Sequence, residues 1–190
     1  MDRNCGICGC KTCQAFEKEL IYGNKVTLDC PFYEEQKLVQ KLNGLDYDFL
    51  LHPLPNELSV RKTILPFRPD ITERLGIVQG DLVLGRPAGA GCPVQHVLRV
   101  ISSDYITGLI ECHVVGPQAS RNKLPYDIKA YHMHSFEGIV EVTKAEPLFG
   151  KRQRFLPASC MMNIVHTAVV SMVLGKSYGT QVILEDIRIL

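Results

Sequence analysis

Five of the chain's eight cysteines lie within its first thirty residues, in "CGICGCKTCQAFEKELIYGNKVTLDC" at positions 5 to 30. Three chemistries compete for such clustering: a disulfide framework, a structural zinc site and an iron-sulfur cluster. A chain of 190 residues with 46% hydrophobic content can bury a core of its own and does not need disulfides to fold. The opening "MDRNCGICGC" has no apolar h-region. The longest apolar run, "MMNIVHTAVVSMVL", is too short for a membrane span and is interrupted by Asn163 and His166. These features predict a soluble, cytoplasmic protein without membrane insertion, in a compartment where thiols stay reduced and clustered cysteines serve metals or catalysis. The net charge is +1 and the only short basic run is "GKRQR" at 150 to 154, so composition gives no reason to expect nucleic acid as a partner.

Spacing narrows the chemistry. Cys5 and Cys8 form a CxxC pair, Cys13 follows, Cys30 returns from a distance, and Cys10 is a fifth thiol among them. Zinc sites tend to be built from two matched pairs well apart. Three thiols in one tight loop plus one distant partner suit a cubane, whose four irons each take one thiolate. Gly6 and Gly9 each follow a cysteine, where the backbone must turn sharply and its N–H groups can approach inorganic sulfur without a Cβ in the way. Phe16, Leu20 and Ile21 at helical spacing, with Gly23 as a C-cap, predict a two-turn helix that carries the chain away and back for Cys30.

The pattern CGxCGxxTCxxFxxxLxxG followed by CP resembles the small four-cysteine 4Fe-4S domain of the corrinoid iron-sulfur protein large subunit and of the B subunit of Rnf-type electron-transport complexes. The likeness covers residues 5 to 31, including Thr12, Phe16, Leu20, Gly23 and Pro31. It implies Cys5, Cys8, Cys13 and Cys30 as the cluster ligands, and low-potential, anaerobic electron transfer with a redox partner protein that it does not specify. This chain departs from the family where an aromatic and a proline are common between the second and third cysteines, and has Cys10 and Lys11 instead. Cys10 then reads as an alternative ligand or as a small packed residue, the latter being preferred.

The remainder carries no such resemblance. Tyr33, Leu38, Val39 and Leu42 share a helical face stopped by Gly44, which predicts a second helix over 32–44. Prolines at 53, 55, 66 and 69 predict an extended connector. "GIVQGDLVLGRP", "VQHVLRVIS", "YITGLIECHVVG", "DIKAYHMHS" and "GIVEVTKAE" read as strands, with a hairpin turn at 102–104, and "QVILEDIRIL" as a last strand. "ASCMMNIVHTAVVSMVLG" reads as one buried helix from about Ser159 to Gly175, with Met161, Met162, Val165, Val169 and Met172 at helical spacing. The expected architecture is α+β: a helical 4Fe-4S domain over 1–48, a connector over 49–70, and over 71–190 an antiparallel β-barrel-like domain with one buried C-terminal helix.

The second domain has its own candidates. Cys92, His96, Cys112, His132, His134 and Cys160 could form a second metal or cofactor site. His132 and His134 project from one face of a strand, and Cys92 and His96 sit at a glycine-rich turn. The bland alternative is that buried cysteines and scattered histidines only pack. Arg61, Arg68 and Arg86 could hold an anionic cofactor such as flavin, though separated arginines are usually solvated surface. Three functions stay open: an electron carrier, an oxidoreductase fed by the cluster, and a redox-sensing or structural metal module. No phosphate loop, GxSxG elbow or HExxH occurs, which removes sequence support for nucleotide hydrolysis, a serine hydrolase or a zincin protease.

Overall fold

The computed structural model describes residues 6–21, 25, 29–30, 45–88, 92, 94–120, 124–160 and 162–189. The chain divides into two compact units, 1–45 and 46–190. In the first, the expected helix is present as α1 (Cys13–Ile21). Thr12 caps it: the Ala15 N–H donates to the Thr12 hydroxyl at 3.1 Å and the Phe16 N–H to the Thr12 carbonyl at 3.1 Å. Phe16 is buried and anchors the helix. The Gly23 cap and the second helix expected over 32–44 lie outside the described residues.

The second unit is mostly sheet. In chain order it contains β1 (Phe49–His52), β2 (Arg61–Pro66), the short helix α2 (Asp70–Arg74), β3 (Leu82–Pro87), β4 (His96–Ser103) and β5 (Ile110–Val115). It continues with β6 (Tyr126–Val142), β7 (Arg152–Pro157), β8 (His166–Lys176) and β9 (Gly179–Ile189). The strands pair in the order β1-β7-β8-β9-β6-β2-β5-β4-β3, and both outer strands also pair with β6. The 17-residue β6 therefore belongs to two cycles of five paired strands. Each cycle surrounds its own apolar cluster. Ile64, Val83, Leu98, Ile110, Ile128 and Tyr131 pack in the cycle of β2 to β6. Phe49, Leu51, Phe136, Phe155, Val170 and Leu184 pack in the other. Met133 of β6 touches both clusters, so the strand passes its inward face from one core to the next.

Several expectations are corrected here. The stretch 159–175 is not a buried helix. Its second half is β8, with His166, Ala168 and Val170 buried at every second position. An apolar run without polar alternation satisfies both periods at once, and the β-branched Thr167, Val169, Val170 and Val173 tip the balance to strand. The stretch 49–70 is not a mere connector: β1 and β2 arise from it and are largely buried. Two of the prolines that suggested irregular chain sit at strand ends: Pro66 closes β2, where a missing N–H costs no ladder bond, and Pro53 directly follows β1. The sheet is mixed and not purely antiparallel, because β1 runs parallel to β7 and β3 parallel to β6. "DIKAYHMHS" and "GIVEV" are one strand. At its Gly138 a Cβ would run into the carbonyl oxygen of His52, so glycine is what lets β1 lie against β6. The turn expected at 102–104 begins there and runs to 109, with the Asp104 carboxylate accepting from the Ile106 N–H and the Thr107 hydroxyl.

Candidate functional site

The N-terminal thiols are arranged by a turn and a helix start. Gly6 and Gly9 both have left-handed φ, +74° and +79°, and the Gly9 N–H donates to the Gly6 carbonyl at 2.9 Å. This turn buries Cys8 and leaves Cys10 half-buried, with the two thiols in hydrogen-bond contact. Cys13 is the first residue of α1. Cys30 is half-buried, and none of Cys8, Cys10, Cys13 and Cys30 is in a disulfide. Cys5 lies outside the described residues. Among the described residues no three His, Cys, Asp or Glu side chains converge as a single-ion site would require. A cubane needs less convergence, since its thiolates stand around a body of four irons with one on each. The donor set of thiols on a glycine turn beside a helix N-terminus fits that group.

Lys25 was not singled out from sequence. Its Nζ lies 3.7 Å from where a Cβ on Gly9 would stand, over the thiol-bearing turn. A cation there offsets the negative charge of thiolates and of the cluster they would hold. No motif marks it, because it stands in the long spacer between Cys13 and Cys30.

The second unit has a small cavity of about 20 Å³, bordered by residues of both strand cycles. Its polar lining is Lys62, Cys92, His96, Ser159, Cys160 and His166. Lys62 comes from β2, His96 and His166 from the first positions of β4 and β8, and the others from the loops preceding those two strands. His96 is 9% and His166 6% exposed, and burial, reinforced by the nearby Lys62, pushes each imidazole down to about 4. Both are therefore neutral near pH 7. His96 Nδ1 lies 2.7 Å from the Tyr131 hydroxyl and its Nε2 3.8 Å from Cys92 Sγ. His166 Nδ1 donates to the Ile164 carbonyl at 2.8 Å, which leaves Nε2 as the ring's lone-pair nitrogen. Ser159 Oγ is buried and has no hydrogen-bond partner among the described residues.

The structure thus brings Cys92, His96 and Cys160 of the expected second site to one cavity, and leaves the rest out. Cys112 is buried in a core cluster, its thiol donating to the Lys62 carbonyl at 3.6 Å, and burial pushes it up to about 12. His132 and His134 do share a face of β6, but it is the exposed one, where His132 leans on Phe67 with ring centres 4.5 Å apart. The expected arginine set does not form an anion site. Arg61 is held by Glu57 and Glu137, Arg68 by Asp70, and Arg86 is exposed. Lys62 was missed because a lone lysine on a strand carries no sequence signal for burial.

Residues 2–32 match the model of the family described as "Putative Fe-S cluster". Across almost the whole chain there is a second likeness, to the uncharacterized protein MJ0119 of Methanocaldococcus jannaschii. The two are 36% identical over 199 residues, spanning 91% of this chain and 84% of that protein. This chain belongs to the MJ0119 family. The shared length exceeds what either structural unit alone holds, so the likeness extends into both. No solved structure matches the chain. Among the described residues no helix is long and apolar enough to cross a membrane.

Proposed function

We propose that the first unit binds one 4Fe-4S cluster through Cys5, Cys8, Cys13 and Cys30 and transfers single electrons to a redox partner protein. The observation that carries this reading is the match of residues 2–32 to an iron-sulfur family model, over the segment whose glycine turn and capped helix present the thiols. When bound, the cluster supplies one-electron chemistry. The chain's own contribution is to hold thiolates on a glycine turn and to set the local charge through Lys25. Low potential and anaerobic metabolism are part of the proposal by resemblance alone.

A second reading, a cluster-dependent oxidoreductase, is favoured by the polar cavity of the nine-stranded unit. A flavin gains nothing from that cavity, whose volume of about 20 Å³ is far too small for a ring system. The deciding experiment is iron, acid-labile sulfide and zinc per chain, with an absorption spectrum, on protein purified without oxygen. About four irons with equal sulfide are expected, as one cubane requires. Zinc without sulfide would overturn the proposal.

A further inference from the structure

We propose that the cavity of the nine-stranded unit binds a small aldehyde and that Lys62 captures it as an imine. This does not rest on the iron-sulfur reading, since every residue it uses lies in the second unit.

Lys62 is 6% exposed, and its Nζ stands 4.8 Å from the centre of the Phe136 ring. Among the described residues no carboxylate and no hydrogen-bond acceptor meets this amine. The titratable groups whose charge it feels are the thiols Cys92, Cys112 and Cys160 and the imidazoles His96 and His166. A buried ammonium without a counter-ion is costly, and the cost falls when the proton leaves. Burial accordingly lowers the affinity of Lys62 for its proton, with the thiols opposing in part. An amine whose proton is held less tightly is more readily the neutral nucleophile that carbonyl addition uses.

The cavity beside it sets the size of the electrophile. Its volume of about 20 Å³ suits a reacting carbonyl and little more, which excludes sugars and ring systems. Two wall groups have unused hydrogen-bonding capacity among the described residues: the Ser159 hydroxyl, a donor for a carbonyl oxygen, and His166 Nε2, an acceptor for a proton. In the reaction the amine nitrogen bonds to the carbonyl carbon as the C=O π bond opens. The resulting hydroxyl leaves as water, carrying both amine protons, and a C=N bond remains. No electrons are exchanged.

The test uses the intact protein under anaerobic conditions, with acetaldehyde and cyanoborohydride at pH 7, followed by peptide mass mapping. An exposed lysine of pKa near 10.4 is neutral in only about one molecule in 2,500 at that pH, so Lys62, whose proton burial loosens, is expected to be ethylated faster than the exposed lysines. Lys62→Met, which keeps an unbranched apolar chain in the same space, should fold and lose the fast label. In wild-type protein unfolded in urea, Lys62 should react at the common rate. Ethylation of native Lys62 at or below the rate of the exposed lysines overturns the proposal, whatever the variant does.

Discussion

The hydroxyl of Tyr131 on β6 reaches Nδ1 of His96 on β4 at 2.7 Å, joining two strands that share no backbone ladder. The bond crosses the interior of one strand cycle and turns the other ring nitrogen toward Cys92. Tyr131→Phe should therefore destabilise the protein by about 1 to 2 kcal/mol, the usual cost of stranding a buried polar partner. Urea unfolding measures it. Unchanged stability with unchanged Cys92 alkylation would show that the bond positions nothing.

The two cavity imidazoles make stability pH-dependent above the carboxylate range. Both are held near 4 when folded, while an unfolded histidine titrates near 6.5, so the unfolded chain binds more protons between those values. Their stabilising contribution is complete above about pH 6.5 and falls as the pH drops toward 4. Urea midpoints should decline between pH 6.5 and 5, and His166→Asn should flatten that slope. A slope unaltered in the variant would remove His166 from the account.

Single changes of Cys8, Cys13 or Cys30 to Ser should reduce iron and sulfide per chain well below the wild-type value, whereas Cys10→Ser should leave both intact. Cys10 touches Cys8, so it is the sharp control: iron loss in that variant would make it a ligand.

Lys25→Gln removes a cation from above the thiol turn. Its charge favours the more negative, reduced cluster, so the variant's midpoint potential should move to more negative values. A charge interaction of about 1 kcal/mol corresponds to roughly 40 mV for one electron. Protein-film voltammetry would read the shift, and a shift of opposite sign would refute the placement.

Gly138→Ala places a Cβ against the His52 carbonyl, a backbone atom that cannot swing aside. A loss of about 1 to 3 kcal/mol is expected, the range for overpacking a tight site, with a lower thermal midpoint as readout.

The thiol segment was legible in the sequence because cluster chemistry dictates residue type and spacing together, and the helix after Cys13 followed from the spacing of Phe16, Leu20 and Ile21. The strands from 82 onward were legible where apolar and polar residues alternate. β8 was not, because its outward face is as apolar as its inward one and mimics a helix. β1 and β2 hid behind prolines that turned out to mark strand ends or the loops beside them. The cavity was half legible: Cys92, His96 and Cys160 declared themselves as metal-binding residue types. Lys62 enters only through the register that pairs it with Phe136 and Cys112, and register is a property of the finished sheet.

The sharing of β6 also imposes an order on synthesis. Every strand of one cycle, β2 to β6, has been translated by residue 142, so that cycle can assemble while the rest of the polypeptide is still being made. The other cycle needs β9, which pairs with β6 and β8 and is complete only at residue 189. A ribosome-bound intermediate thus presents the 135–139 edge of its central strand unpaired, the kind of open edge that invites wrong pairing until β9 arrives.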